Sequence, residues 1–190
     1  RSLTAMTLLL VVVIVNFFFQ ALQQYLQYRA SPEIAQIISG WTFGNLQRSS
    51  WISTGVSSTC WTIVLLISFC YSWKLTALSD GTERARGLGI NTDQLRMFVF
   101  TVSSVLVASA VAFIGTVAFV GLISPHCAKL LLGEDQRFLI IGSSMVGSAL
   151  MLAASIISKL MSEGATLPVG IVTSIVGVPF LFFLLLRSRE

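Results

Sequence analysis

One histidine, three cysteines, eight acids and twelve bases carry nearly all the titratable chemistry of this 190-residue chain. His126 follows Ser124-Pro125 in an otherwise uncharged run. A lone histidine beside a proline suits the capping of freed backbone groups better than metal ligation, which needs further donors. Cys60, Cys70 and Cys127 sit in apolar runs without CxxC spacing and read as small buried hydrophobes, not zinc or redox thiols. No GxxxxGK followed by Ser or Thr occurs, and no GxSxG or HExxH. The chain therefore lacks a Walker phosphate loop, a nucleophile elbow and a zinc-protease helix. The densest polar chemistry is the stretch 74–96, with Lys74, Asp80, Glu83, Arg84, Arg86, Asp93 and Arg96.

The elements that position these groups follow from composition. Hydrophobic residues make up 55% and charged residues 11%, against about 25% charged in a typical soluble domain. Too few charges remain to coat a water-facing surface, which excludes an ordinary soluble enzyme, a disordered tail and a disulfide-stapled domain. The net charge of +4 is scattered over the chain, so no nucleic-acid partner is indicated. A polytopic membrane protein remains, with membrane lipid as its solvent. The uncharged runs 2–28, 49–73, 97–128, 138–158 and 164–186 can each supply a helix of the ~20 residues needed to cross a bilayer. They lack the alternation of a barrel strand. The fold class is thus all-α, a bundle of transmembrane helices.

Charge topology sets the span count. If run 97–128 is one helix, the bases divide evenly between the two sides. If it turns near 114–116, at Gly115, one side holds Arg1, Lys74, Arg84, Arg86, Arg96, Lys129, Arg137, Arg187 and Arg189. The other side then holds Arg29, Arg48 and Lys159. This asymmetry obeys the positive-inside rule and predicts six spans with both ends in the cytoplasm. They lie near 3–19, 51–73, 95–113, 117–132, 138–158 and 168–186. The fourth contains Gly121 and Pro125. It reads either as the interrupted helix of a transporter or as a proline kink in a packed bundle. No acid falls inside a predicted span, which weighs against an ion-coupled carrier.

Two connections carry structure of their own. In 31–47, Ser31-Pro32-Glu33 is a helix start, and Ile34, Ile37, Ile38 and Trp41 share one face of a short outer-side helix limited by Gly40 and Gly44. In the inner loop, Ser79 or Asp80 can cap a helix to Arg86, and Gly87-Leu88-Gly89 can end it. Asn91 opens a second short helix with Gln94 in capping register. This loop reads either as a docking knob for a cytoplasmic partner or as a solvated connection.

The run Phe119-Val120-Gly121-Leu122-Ile123-Ser124-Pro125-His126 closely resembles a hallmark of the FecCD-type permeases, the membrane subunits of bacterial ABC importers for iron-siderophores, haem and cobalamin. Gly133-Glu134-Asp135-Gln136-Arg137 is similar to the family's G-x-D-H-R. Leu167-Pro168-Val169-Gly170-Ile171-Val172-Thr173, Gly177-Val178-Pro179-Phe180 and the loop residues Gly81, Ala85, Leu88 and Gly89 resemble further family motifs. The resemblance implies that 1–190 is the C-terminal, six-span part of a ten-span permease in the bacterial plasma (inner) membrane. It implies an iron-siderophore or related metal chelate as cargo. It also implies that the chain is no enzyme and binds no cofactor, with ATP and Mg held by a partner ATPase.

That ATPase would dock on the coupling loop 78–96 through Gly81, Thr82, Glu83, Arg84, Ala85, Arg86, Leu88 and Gly89. A second permease subunit, identical or similar, would complete the path. A periplasmic or lipoprotein substrate-binding protein would dock at Lys159, with Arg29 and Arg48 as weaker candidates. Gly121, Pro125, His126, Gly133, Asp135, Arg137, Pro168, Gly170, Gly177 and Pro179 are implied as structural motif residues. Ser103, Ser104, Thr173 and Ser174 are contributors to a lining that does not grip the cargo. The sequence departs from the family pattern at Thr82 (Glu in the family), Ser155 (Asp) and Gln136 (His). An ion-coupled carrier and a non-transporting scaffold are the alternatives.

Overall fold

The computed structural model describes residues 5–161 and 167–187, and every regular element among them is helical. A lipid-embedded chain has no water for its backbone groups, so the helix is the local solution for each apolar run. Residues up to 42 form one compact unit and those from 43 a second.

In the first unit, α1 spans Ala5–Arg29 and α2 spans Pro32–Thr42. The expected end of α1 near 19 is overrun by ten residues. Gln20, Gln23, Gln24 and Gln27 are polar but good helix formers, and Arg29 in the last turn complements the helix dipole. The glutamines also tie the two helices together: Gln23 donates to the Thr42 hydroxyl, and Gln27 Nε2 lies 3.4 Å from Ser39 Oγ. At the start of α2, hydrogen bonds from the Ser31 side chain and from its own backbone N–H hold the Glu33 carboxyl below the usual carboxylate range.

The second unit holds a 3₁₀ turn at Leu46–Arg48 and six α-helices: α3 Trp51–Ser79, α4 Thr82–Gly87, α5 Thr92–Ile114, α6 Val120–Leu132, α7 Gln136–Leu160 and α8 Val169–Arg187. Ser50 and Ser53 form a reciprocal capping box at the start of α3. By length and hydropathy, α1, α3, α5 and α7 can each cross a bilayer, while α6 and the apolar part of α8 are shorter. The expected fourth span, short already in the sequence, is helical over only part of its length. Helix α6 starts at Val120, and its 13 residues reach about 20 Å, less than a ~30 Å hydrocarbon core. The chain between α5 and α6 leaves the helix because Gly115 (φ 85°) and Phe119 (φ 67°) both adopt left-handed backbone. A correction concerns 91–113: the short helix at Asn91 and the span after it are one continuous helix, α5.

Large apolar side chains face outward, Trp51 being 93% exposed, whereas the buried core is built mainly of small residues such as Ala77, Ala85, Ala128, Ala154, Ser124 and Ser158. In a membrane, helices associate by close packing, not by expulsion of water from large apolar groups, so small residues belong at the contacts. The α6–α7 hairpin shows this. A Cβ at Gly142 would lie 2.3 Å from Leu132 Cδ1, and one at Gly147 would lie 3.2 Å from Ser124 Oγ. Cys70 is exposed, and Cys60 and Cys127 are half-buried. The expectation of buried thiols is met only in part by Cys60 and Cys127 and fails for Cys70, whose apolar surroundings in sequence form an outward-facing helix surface.

Candidate functional site

The α3–α5 elbow gathers the charged loop. Helix α3 stops at Ser79, and Gly81 (φ 127°) turns the chain into α4. Neither Ser79 nor Asp80 caps α4, whose N-cap is Gly81 without a side-chain hydrogen bond. Asp80 instead closes α3, its N–H reaching Thr76 O at 3.2 Å. Helix α4 ends in a Schellman motif. Gly89 (φ 78°) takes the left-handed position, its N–H donates to Arg86 O at 2.9 Å, and the Ile90 N–H donates to Ala85 O at 3.1 Å. The Asn91 side chain then caps α5 by accepting from the Gln94 N–H at 3.2 Å.

Packing makes this elbow a rigid block. Ala85 is fully buried and packs with Ala77 of α3, Ile90 and Leu95, flanked by Tyr71, Leu78 and Val99. Arg86 braces the turn. Its Nε lies 3.4 Å from the buried Thr92 hydroxyl, and its guanidinium is 3.6 Å from Glu83 and 4.0 Å from Asp93. Arg96 donates to Thr82 Oγ1 at 3.0 Å, and Arg84 sits 3.7 Å from Asp80. Exposed pairs of this kind contribute little individually, so their effect here is orientation. The eight loop residues thus divide by role. Gly81, Ala85 and Gly89 shape the turn, Thr82 and Arg86 join it to α5, and Glu83, Arg84 and Leu88 stand outward. Leu88 is 54% exposed, and the Glu83 side chain 93%. An apolar knob ringed by charges on a rigid base has the chemistry of a protein-docking surface.

At the other end of α3 and α5, three distant segments meet through their backbones. The Asn45 N–H donates to Ile114 O at 2.8 Å, the Val169 N–H to Gly44 O at 3.0 Å, and the Gly170 N–H to Phe43 O at 3.1 Å. A Cβ at Gly170 would lie 2.2 Å from Phe43 O and 3.0 Å from Thr116 O, and one at Gly44 would lie 2.5 Å from Thr116 O. Phe119 fills the notch left by Gly177, where a Cβ would sit 2.5 Å from its Cβ and Cγ. The Ser158 hydroxyl donates to Leu167 O beside Pro168, closing α7 onto α8. Lys159 follows at once, exposed in the last turn of α7. The sequence reading missed Gly44, Thr116 and Phe119 as members of this clamp. Gly44 served there only as a limit on a short helix.

The remaining motif residues serve the short helices. Pro125 lies inside α6 and removes the N–H that would pair with the Gly121 carbonyl. Ser124 Oγ donates to Val120 O at 2.6 Å on the same turn. Among the described residues His126 caps no backbone group. Its ring packs edge-on to Phe180, one residue beyond Pro179, at 6.3 Å, which corrects the capping expectation. Gly133 (φ 82°) ends α6, and Asp135 begins α7 by accepting from the Arg137 N–H at 2.9 Å, giving the G-x-D pattern its physical reason. Thr173 is buried and bonds Gly170 O at 3.1 Å, and Ser174 bonds the same carbonyl at 2.7 Å. Thr173 thus ties its hydroxyl to the α8 backbone and also lines a small cavity of about 90 Å³ beside Val120 and Ile123. Ser103 and Ser104 lie on an exposed face of α5. The Arg48 side chain lies outside the described residues. Among the described residues, no three His, Cys, Asp or Glu side chains could hold a metal.

Lys129 Nζ reaches Glu134 Oε1 at 2.7 Å across the α6–α7 turn, and this hydrogen bond and charge hold the Glu134 carboxyl below its usual range. Any stability the pair contributes is present at pH above the ordinary carboxylate value and lost as pH falls through the lowered one. Lys129→Met is expected to return the Glu134 titration upward to the ordinary range, read by carboxyl-specific NMR against pH. An unmoved titration would mean that the pair does not form.

A family model described as the FecCD transport family matches residues 1–187. The cobalamin import system permease protein BtuC of Halobacterium salinarum is 34% identical over 184 residues, covering 97% of this chain and 49% of that protein. The iron(3+)-hydroxamate import system permease protein FhuB of Bacillus subtilis is 33% identical over 189 residues, covering 100% and 49%. A solved inward-facing structure of a metal-chelate type ABC transporter matches with a TM-score of 0.88 at 30% identity, covering 97% of this chain and 61% of that one. The chain spans about half the length of the curated relatives it matches.

Proposed function

Because this chain belongs to the FecCD transport family, an all-α group of integral proteins of the plasma (inner) membrane, we propose that it is part of the permease subunit of an ATP-driven importer. Its cargo is a metal chelate of the iron-siderophore, haem or cobalamin class, moved inward. A separate cytoplasmic ATPase binds ATP and Mg and docks on the α4 elbow. The observation that carries this reading is the elbow itself: a buried Ala85 frame presenting Leu88, Glu83 and Arg84, in a chain without a Walker phosphate loop.

The geometry supports a mechanical role. Force applied at α4 passes through the Ala85 contacts, the Arg86–Thr92 bond and the Arg96–Thr82 bond into α3 and α5 together. These two helices, of 29 and 23 residues, carry the displacement to the clamp region. A second permease subunit completes the path, and a substrate-binding protein delivers the cargo on the clamp side, near Lys159.

Proteoliposomes holding the complete permease, its ATPase and its binding protein are expected to accumulate labelled ferric hydroxamate or labelled cobalamin only when ATP is supplied. Accumulation driven by an ion gradient without nucleotide would replace this reading with an ion-coupled carrier. Lys159→Glu is expected to slow binding-protein association and reduce its salt dependence, an effect of ~1 kcal/mol, with expression unchanged. Unaltered association kinetics would remove Lys159 from the docking surface.

A further inference from the structure

Beside the elbow, an open groove of about 410 Å³ runs between the end of α3 and the start of α5. Tyr71, Trp73 and Lys74 line it from α3, Leu88 from the elbow, and Asn91 and Phe98 from α5. Three observations converge here. Lys74 is the first charge after the uncharged run 49–73, which sets the groove at the water boundary of the bilayer. Its ammonium stands 5.0 Å from the centre of the Tyr71 ring, and among the described residues it pairs with no carboxylate, unlike Arg84, Arg86 and Lys129. The groove wall also includes the N-terminal cap and first turn of α5, the positive end of a 23-residue helix, and the one acid of that turn, Asp93, faces Arg86.

We propose that this groove binds the phosphate of an anionic phospholipid. Lys74 supplies the counter-charge, and Trp73 and Phe98, 53% and 38% exposed, supply apolar surface for the glycerol and the first acyl carbons. Charge and position select this occupant. An unpaired cation at the boundary attracts acidic headgroups, and the mixed polar and apolar lining fits a group that is half in water and half in lipid. A soluble anion would use the cation and leave the aromatic wall without purpose. The groove shares Leu88 with the docking loop, so a bound lipid would brace the angle between α3 and α5. The inference needs only that the chain is embedded in a membrane, and it stands or falls separately from the transport reading.

The test is native mass spectrometry of the complete permease complex, titrated with phosphatidylglycerol and, in parallel, with phosphatidylcholine. One saturable phosphatidylglycerol site is expected, with phosphatidylcholine binding more weakly. Lys74→Gln should weaken the phosphatidylglycerol site about five-fold, Lys74→Arg should retain it, and Lys129→Gln should leave it unchanged. Equal binding of the two lipids, or an unaltered site in Lys74→Gln, would overturn the proposal. Displacement by millimolar inorganic phosphate would assign the groove to a soluble anion and overturn it as well. Loss of the ATPase from Lys74→Gln with lipid binding intact would assign the groove to the protein partner, with the same consequence.

Discussion

Gly170→Ala is expected to leave little stably folded protein in the membrane. The new Cβ would fall 2.2 Å from Phe43 O and 3.0 Å from Thr116 O, and both obstacles are backbone atoms that cannot rotate away. The clamp would have to open, breaking the Gly170 N–H bond to Phe43 O and the Val169 N–H bond to Gly44 O. Each lost bond costs about 1 kcal/mol, and each donor left buried without a partner costs ~1–3 kcal/mol. A destabilisation of about 3 kcal/mol or more follows, seen as a large fall in thermal stability in detergent and in the yield of purified protein. Gly121→Ala is the matched control. It changes the same residue type in another family motif, yet nothing lies within 4 Å of the added carbon. Its stability should stay within about 0.5 kcal/mol of the parent. If the two variants behave alike, the clamp does not hold the helices together.

The clamp was also the part least legible in the sequence. What could be read there was local: uncharged runs gave the helices, Asn91 announced a helix start, and Gly87-Leu88-Gly89 announced a stop. Each of these signals acts over a few residues. The contacts among Phe43, Thr116 and Gly170 join segments separated by more than fifty residues, and no periodicity encodes such a meeting. The left-handed backbone at Phe119 was hidden for the same reason, because a bulky side chain takes that conformation only when tertiary packing compels it. The overrun of α1 past residue 19 had a different cause. Glutamine is polar in a hydropathy count but favourable in a helix, and the helix follows the second property. The division of labour within the elbow lay between these cases. The loop and its charges were visible, but the full burial of Ala85 and the outward stance of Leu88 depend on where α3 and α5 place α4.

That division yields the second large effect. Leu88→Asp is expected to reduce ATPase association about 30-fold, the equivalent of losing one apolar anchor worth ~2 kcal/mol from a small interface. Leu88 is half exposed and lies outside the buried cluster of Ala77, Ala85, Ile90 and Leu95, so the fold should tolerate the change. Thermal stability of the isolated permease should therefore stay close to the parent value. Ala85→Leu reaches a similar functional end by a different route. Three added carbons at a fully buried position overpack the joint of α3, α4 and α5, at a cost of about 1–3 kcal/mol, and displace α4 from its base. This variant should lose stability and ATPase coupling together, whereas Leu88→Asp loses only association. Co-purification of the ATPase and nucleotide-driven uptake, measured beside the melting temperature of each variant, separate the two effects. Full retention of the ATPase by Leu88→Asp would show that the partner grips another surface, and the elbow would then be a solvated connection between two membrane helices.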